Sequence, residues 1–235
     1  MLKNRKILVT GSSSGIGKAI VQCLLEQGAY IIGLSRNSKK TDQSCENLKL
    51  YTVDLSDFRS VAACVKNIRT DNPDFDGLIS NAGYGKFGNL ENFSSEQIAS
   101  NILDNLVSHM VITREVLPHF KNQKRGDLIF IGSESALKGG KKGSLYSAAK
   151  FGLRGFAQAI REECAKSNIR VGLVNPGMVR SNFFNELDFR PGTQFGDAIE
   201  PRDVALMVMS ILCARPGTNI DEINMSPQKQ RVKFD

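Results

Sequence analysis

A glycine-rich turn, placed between an apolar run and an amphipathic segment, is the feature that most constrains the fold of this chain. The apolar run at 6–10 predicts a short buried strand, and the amphipathic pattern after the turn predicts a helix to about Gln27, with Gly28 just beyond its end. Glycines in such a turn let the backbone approach a pyrophosphate closely, while the helix N-terminus presents N–H groups to the anion. The predicted phosphate-binding turn consists of Gly11, Ser12, Ser13, Ser14, Gly15, Ile16 and Gly17.

Strand-like and helix-like segments alternate along the rest of the chain. Apolar runs predict further strands at 29–34, 48–53, 77–80, 128–131, 170–175 and 217–223. Predicted helices cover 96–120, 145–166, 201–214 and a segment that runs from an N-cap at Ser56 to Asp71, and a polar tail remains at 224–235. This alternation is typical of parallel α/β sheets with right-handed crossovers. Because the chain has 235 residues, 41% of them hydrophobic, and no linker-like tract, we expect one domain spanning 1–235.

Composition argues against several other classes of protein. The N-terminus lacks the apolar segment of a signal peptide and no stretch of 18 apolar residues occurs, so we expect a cytoplasmic protein that does not associate with membranes. Five scattered cysteines predict free thiols, with no disulfide framework and no metal site, and His109 and His119 are interpreted as structural. The formal net charge of +7 is spread along the chain, which favours a solvated basic surface over nucleic-acid binding.

The stretch from Ser133 to Lys150 combines residues suited to proton transfer. Ser133 follows a predicted strand, and Tyr146 and Lys150 are four residues apart on a predicted helix, so the phenol and the ammonium share one face. A cation about 4–5 Å from a phenol, at an effective dielectric constant of ~20, lowers its pKa by roughly 2–3 units before burial is considered. We therefore expect Tyr146 to have a pKa near working pH, where general acid–base catalysis is efficient.

Ser133, with Tyr146 thirteen residues later and then Lys150, resembles the active-site signature of the short-chain dehydrogenase/reductase family. The resemblance extends to the order of the other motifs, which are a glycine turn preceded by Thr10, an Asp at a strand end, Asn-Ala-Gly and Pro-Gly. It covers nearly the whole chain. It implies a Rossmann-type doubly wound domain, with seven parallel strands in the order 3-2-1-4-5-6-7 and helices on both faces.

The same resemblance assigns the catalytic roles. Tyr146 is the general acid or base, Ser133 holds the reacting oxygen, and Lys150 lowers the pKa of Tyr146 and binds the nicotinamide ribose. Asn105 would link Lys150 to solvent through a water. Asn101 lies one turn earlier, so either asparagine can instead be a plain surface residue.

The resemblance also implies which residues contact the cofactor. Asp54 would contact the adenine amino group with help from the Leu55 backbone, and Val179 would offer its backbone to the nicotinamide carboxamide. Ser181 stands where the family has a threonine and keeps the hydroxyl. The remaining expected contacts are Asn81, Ala82, Gly83, Tyr146, Lys150, Pro176 and Gly177.

Arg36, at the end of the second predicted strand, favours NADP(H) over NAD(H). An acidic residue at this point would bind the 2′-hydroxyl of NAD, whereas an arginine accommodates the 2′-phosphate of NADP. No Asp or Glu occupies 33–38, and Lys39 and Lys40 reinforce the positive charge. The alternative is that Arg36 is a solvent-facing loop charge and that both cofactors bind.

The activity implied by the resemblance is hydride transfer between NADP(H) and a carbonyl or secondary alcohol, with homodimers or homotetramers as the expected assembly. Segment 182–200 falls where relatives carry a substrate lid, and its four phenylalanines either line an apolar pocket or anchor the loop. Lys138, Lys141 and Lys142 indicate either an acidic substrate or a solvated loop. Two other functions stay open, a catalytically silent dinucleotide-binding sensor or scaffold and a nucleic-acid binder.

Overall fold

The computed structural model describes residues 2–36 and 45–234, and the elements named below belong to these ranges. The strands are β1 Lys6–Thr10, β2 Tyr30–Ser35, β3 Leu48–Thr52, β4 Gly77–Ser80, β5 Gly126–Ile131, β6 Ile169–Pro176, β7 Phe189–Pro191, β8 Glu222–Met225 and β9 Val232–Phe234. The α-helices are α1 Gly15–Glu26, α2 Phe58–Asp71, α3 Ser95–Ile102, α4 Ser108–Gln123, α5 Ser144–Cys164 and α6 Pro201–Leu212. Within the described ranges, no helix is both long and apolar enough to cross a membrane.

A parallel sheet with the strand order β3-β2-β1-β4-β5-β6-β8 forms the centre of the fold. Successive side chains of a strand point to opposite faces, so Leu8 packs beneath α2, α4 and α5, while Ile7 and Val9 pack beneath α1 and α6. The predicted doubly wound architecture is therefore confirmed, with β8 as the seventh strand of the sheet.

The seventh strand begins later than the sequence pattern predicts. Gly217 has a φ of +85°, and the Thr218 N–H bonds the Arg215 carbonyl, so this part of the chain is a turn. The Asn219 side chain accepts the backbone N–H of Val171 and donates to its carbonyl, at 2.9 and 3.0 Å. The Asn219 side-chain amide thus replaces strand-to-strand backbone hydrogen bonds at Val171. The strand forms at Glu222–Met225 and not at 217–223.

Two helix boundaries also differ from the prediction. The N-cap of α2 is Asp57 and not Ser56, since the Asp57 carboxylate accepts the backbone N–H groups of Arg59 and Ser60. The Ser56 hydroxyl instead donates to Asp54 at 2.8 Å. The helix predicted over 96–120 is divided into α3 and α4 by a π-helical turn, Leu103–Val107.

The C-terminal residues are not merely a polar tail. β9 pairs in antiparallel fashion with β7, which lies inside segment 182–200, and Phe189 stands opposite Phe234 in this two-stranded sheet. The main-chain N–H of Gly192 also bonds the carbonyl of Arg231. The prediction of a plain tail over 224–235 is therefore wrong, because backbone pairing between distant segments leaves no local pattern.

Candidate active site

The carboxyl ends of β1 and β4 are tied together by Thr10 and Asn81. The buried Thr10 hydroxyl accepts the main-chain N–H groups of Asn81 and Ala82 at 2.9 and 3.0 Å. The Asn81 side chain donates in return to the Thr10 carbonyl at 3.0 Å. Thr10 and Asn81 therefore place the glycine turn and the Asn-Ala-Gly turn side by side at one edge of the sheet.

The glycine turn has the shape of an anion cradle. Gly11 and Gly15 have φ values of +65° and +51°, and a Cβ on Gly17 would lie 2.1 Å from the Gly11 carbonyl oxygen. The N-cap of α1, Ser14, makes no side-chain capping bond, and the first turn contains no acidic residue. The N-terminal N–H groups of α1 are thus available to an anion, and this end of the helix fits a dinucleotide phosphate.

Ser12 has a structural place within this turn. Its side chain is buried, and its hydroxyl and main-chain N–H both point to the Leu34 carbonyl on β2, at 3.4 and 3.3 Å. A Cβ on Gly33 would lie 2.7 Å from the Ser12 hydroxyl, so β2 needs glycine at this point.

Arg36 and Asp54 lie near one another at the ends of β2 and β3. The positive charge of Arg36 helps to lower the pKa of Asp54, although the largest causes are the N–H and hydroxyl of Ser56, at 2.9 and 2.8 Å. Arg36 also faces Asp104, whose pKa is raised by burial and by Asp54. The predicted 2′-phosphate contact is thus an exposed arginine close to two carboxylates, and the predicted contribution of Lys39 and Lys40 lies outside the described residues.

Asn105 sits in the π-helical turn, fully buried. Its side-chain amide donates to the Asn101 carbonyl at 3.1 Å, and its side-chain oxygen accepts the Tyr84 N–H at 3.1 Å. A Cβ on Gly83 would lie 2.8 Å from this oxygen and 3.9 Å from the Lys150 ammonium. Neither asparagine is a surface residue, because Asn101 is also fully buried, and Asn105 is the one that lies against the Gly83 backbone beside Lys150.

Ser133, Tyr146 and Lys150 are brought together beneath the surface. All three are buried, and the Lys150 ammonium lies 5.7 Å from the centroid of the Tyr146 ring. Burial lowers the pKa of Lys150 to about 8. Burial also raises the pKa of Tyr146, which hydrogen bonding to Ser133 partly offsets and the charge of Glu134 increases further.

The expected lowering of the Tyr146 pKa is therefore wrong for this geometry. The Lys150 ammonium donates a hydrogen bond to the Ile131 carbonyl, at 3.1 Å. The loss of hydration of the phenolate outweighs the hydrogen bond to Ser133, which lowers the pKa of Tyr146. Tyr146 is thus a protonated phenol at neutral pH.

His109 lies behind this group and stays uncharged. Its Nδ1 is 2.7 Å from the Ser80 hydroxyl, and its ring is buried. Burial, and then the charge of Lys150, lower the pKa of His109 to about 3. In the part of the chain that the structure describes, no group of three or more His, Cys, Asp and Glu residues could hold a metal ion.

Asn175, the penultimate residue of β6, is a site residue that the sequence reasoning missed. Its side-chain oxygen accepts the Ser133 N–H at 3.3 Å, and its amide donates to Glu222 and Asn224 at 2.8 and 2.9 Å. Glu222 in turn accepts from Arg154 on α5 at 3.0 Å. This network fixes the backbone that carries Ser133. The available signal was a polar residue at the carboxyl end of an apolar strand.

Pro176 ends β6 and Gly177 follows it, and the backbone groups of Val179, two residues further on, are free of bonds to the described residues. The N–H of Ile199 bonds the Met178 carbonyl, and the N–H of Arg180 bonds the Ile199 carbonyl. Val179 lies between these bonds, and its own N–H and carbonyl make none with the described residues. Ser181 reaches the glycine turn, since a Cβ on Gly15 would lie 3.4 Å from its side chain.

Segment 182–200 packs an aromatic wall against Tyr146. The ring of Phe183 lies 5.7 Å from that of Tyr146, and Phe87 lies 5.3 Å from Tyr146 and 5.0 Å from Phe189. Phe195, by contrast, is 92% exposed. Three of the four phenylalanines of this segment therefore belong to one ring cluster beside the site, since Phe184 contacts both Phe183 and Phe189.

Comparison with known proteins identifies a family and several relatives of this chain. A model of the short chain dehydrogenase family matches residues 5–190. The chain is 34% identical over 177 residues to a 3-ketodihydrosphingosine reductase of Bacteroides thetaiotaomicron, with 75% of this chain and 65% of that protein covered. It is 30% identical over 213 residues to carbonyl reductase family member 4 of Xenopus laevis, with 87% of this chain and 89% of that protein covered.

A solved structure of a short-chain oxidoreductase has the same fold as this chain. A metagenomic short-chain oxidoreductase in complex with NADP matches with a TM-score of 0.83 and 28% sequence identity, covering 96% of this chain and 98% of that one. The family match spans most of the chain and includes the glycine turn, the Asn-Ala-Gly turn, Ser133, Tyr146 and Lys150. This chain belongs to the short-chain dehydrogenase/reductase family of oxidoreductases, whose members bind a nicotinamide dinucleotide.

Proposed function

We propose that this protein is an NADP(H)-dependent reductase that converts a ketone to a secondary alcohol, with Tyr146 as its proton donor. The observation that carries the proposal is the burial of Ser133, Tyr146 and Lys150 together at the sheet edge that also carries the glycine turn. Ligands of open parallel sheets bind at this edge. The naming of relatives as reductases of a keto compound and of carbonyls supports the same reaction class.

The cofactor would lie along the carboxyl ends of the strands. Its pyrophosphate fits the N-terminus of α1, and its adenosine half would extend toward Asp54 and Arg36. The free main-chain groups of Val179 suit the nicotinamide carboxamide. When bound, the dinucleotide supplies the hydride for reduction or accepts it in oxidation.

Tyr146 supplies the proton in this scheme. Reduction adds a hydride to the carbonyl carbon and one proton to the carbonyl oxygen, and the Tyr146 phenol donates that proton. Because its pKa is raised, the phenol is protonated at neutral pH and carries the proton to be donated. Donation leaves a buried phenolate, which must take up a proton again before the next reduction. The hydroxyl of Ser133 would hold the same oxygen by a hydrogen bond.

Lys150 and Asn105 would restore the proton. With a pKa of about 8, Lys150 is mostly charged at pH 7 yet able to give up a proton. Asn105 lies beside it, across Gly83, in a π-helical turn. We assign to Asn105 the positioning of a water that connects Lys150 to solvent.

We also propose that residues 1–235 form one domain in which segment 182–200 is the substrate lid. Its aromatic contacts with Tyr146 and its pairing with β9 support this role.

Met110 on α4 and Phe151 on α5 are 39% and 44% exposed, which supports homodimers or homotetramers built on these helices. Light scattering after size exclusion tests the assembly. Five free cysteines suit the reducing cytoplasm as its location.

Calorimetric titration with NADPH and, separately, NADH tests the cofactor, and a panel of ketones tests the reaction. We expect tighter binding of NADPH and NADPH-dependent ketone reduction. Binding without turnover across a broad panel would instead indicate the silent sensor or scaffold. Steeply salt-dependent association with DNA or RNA would indicate a nucleic-acid binder.

A further inference from the structure

Glu134 places a half-buried carboxylate directly after Ser133 and against Gly177. It follows Ser133 directly, at the start of a short 3₁₀ turn at the carboxyl end of β5. Its Oε2 atom would lie 2.8 Å from a Cβ on Gly177, and the Pro227 ring borders the same position. The negative charge of Glu134 contributes to the raised pKa of Tyr146, so the carboxylate lies within electrostatic reach of the phenol.

The carboxylate of Glu134 lacks a compensating partner. In residues 2–36 and 45–234 it makes neither an ion pair nor a hydrogen bond, and burial alone raises its pKa. The other acid close to Ser133 is compensated, since Glu222 pairs with Arg154 and Asn175. A half-buried carboxylate without a partner costs free energy, and a cationic ligand would recover that cost.

We infer that Glu134 binds a protonated amino group on the carbon next to the reacting carbonyl or hydroxyl, so that the substrates are amino ketones and vicinal amino alcohols. The inference rests on the ketone–alcohol chemistry proposed for Tyr146. Ser133 and Glu134 are consecutive residues of one turn, so they can hold adjacent groups of one molecule. Ser133 holds the oxygen, and Glu134 accepts a charge-assisted hydrogen bond from the nitrogen.

The surroundings of Glu134 favour this ligand over an acidic one. The lysines of the loop between Ser133 and Tyr146 are exposed, and Lys142 lies 3.8 Å from Asp188. A carboxylate substrate would meet the negative charge of Glu134 at the reacting centre. The rings of Phe87 and Phe183 beside Tyr146 provide an apolar wall for the rest of the molecule.

Two alcohols of matched shape test the inference. In 2-amino-1-phenylethanol an ammonium group replaces the terminal methyl of 1-phenylpropan-1-ol, and the amine stays protonated at pH 7. Calorimetry measures the Kd of each alcohol for the NADP⁺-loaded protein, and initial rates measure kcat/KM for oxidation. The same ratios are measured for Glu134→Gln and for the control Glu46→Gln, which removes an exposed acid just before β3, at the opposite edge of the sheet.

We expect the wild-type protein to prefer the amino alcohol by at least about tenfold in Kd, the scale of one charge-assisted hydrogen bond. The ratio should fall to about one in Glu134→Gln and stay within about twofold of wild type in Glu46→Gln. Equal binding of the two alcohols, or an unchanged ratio in Glu134→Gln, would overturn the inference. So would a loss of NADP⁺ affinity without a change in ratio, since Glu134 would then serve the cofactor. Absence of oxidation would contradict the proposed reaction alone, because the binding ratio still decides the role of Glu134.

Discussion

The Lys150 ammonium donates a hydrogen bond to the main-chain carbonyl of Ile131, 3.1 Å away, at the end of the strand that leads to Ser133. The lysine is thereby held in the interior, 5.7 Å from the centroid of the Tyr146 ring. Because the cation is buried, its pKa falls to about 8 and its charge becomes sensitive to pH in an ordinary working range.

A pH dependence of reduction follows from this lysine. The charged form of Lys150 is lost as pH rises through about 8, so kcat/KM for NADPH-dependent reduction should be level below pH 7 and fall above pH 8. In Lys150→Arg the guanidinium stays protonated, and the fall should move upward by more than one pH unit, even if the plateau is lower. Profiles from pH 6 to 10 measure both. If kcat/KM falls at the same pH in the arginine variant, the titrating group is not Lys150.

Tyr146→Phe removes the proposed proton donor with little change in shape. The Kd for NADPH should stay within about threefold, whereas the reduction rate should fall by about 10²- to 10⁴-fold, the usual contribution of general acid catalysis. Calorimetry and single-turnover kinetics give the two quantities. A rate within tenfold of wild type would show that Tyr146 is not the acid.

Arg36→Asp should shift the cofactor preference from NADP(H) towards NAD(H). The new carboxylate would repel the 2′-phosphate of NADP(H) and could accept the 2′-hydroxyl of NAD(H). We expect the ratio of the Kd for NADH to the Kd for NADPH to fall by at least about tenfold. A tenfold change corresponds to about 1.4 kcal/mol of binding free energy at 25 °C. Arg215→Asp, at an exposed arginine of the turn before β8, makes the same charge change as a control. If both variants shift the ratio of Kd values equally, the shift results from the change in net charge, and Arg36 does not contact the 2′-phosphate.

Asn175→Ala should weaken both the fold and the site. It leaves the Ser133 N–H, Glu222 and Asn224 without their shared partner, and the free energy of unfolding should fall by about 2–3 kcal/mol. Asn219→Ala is the matched control, because Asn219 also bonds β6 but at Val171, away from Ser133. Urea titration should show a loss in both variants, whereas the rate of reduction should fall only in Asn175→Ala.

Deletion of 232–235 should loosen segment 182–200. The deletion removes the β9 ladder and the Phe234 ring from Phe189, whose own ring contacts Phe87 beside Tyr146. Limited proteolysis within 182–200 should become several-fold faster, and KM for ketones should rise, while thermal unfolding of the main sheet changes little. Phe195→Ala provides the comparison, since that ring is 92% exposed. Unchanged cleavage after the deletion would show that β9 does not hold the segment.

Local chemistry in the sequence determined the glycine turn, the alternation of strands and helices, and the helix face that Tyr146 and Lys150 share. The strand order and the meeting of Ser133 with these two residues were implied by the resemblance of the motifs to a known family. The turn at Gly11 and Gly15 could be predicted from the sequence because the positive φ values that it requires favour glycine. The carboxyl edge of the sheet then collects the motifs by topology alone.

Tertiary structure alone decided what depends on burial and on contacts between distant residues. The pKa of Tyr146 moves up and not down, since the loss of hydration exceeds the effect of the hydrogen bond to Ser133. Asn175 meets Ser133 across 42 positions, and β9 pairs with β7 although α6 and β8 lie between them in the chain. The isolated carboxylate of Glu134 likewise emerges only when every neighbour is in place. Desolvation and long-range pairing are properties of the packed chain, and they set the chemistry that the motifs alone leave open.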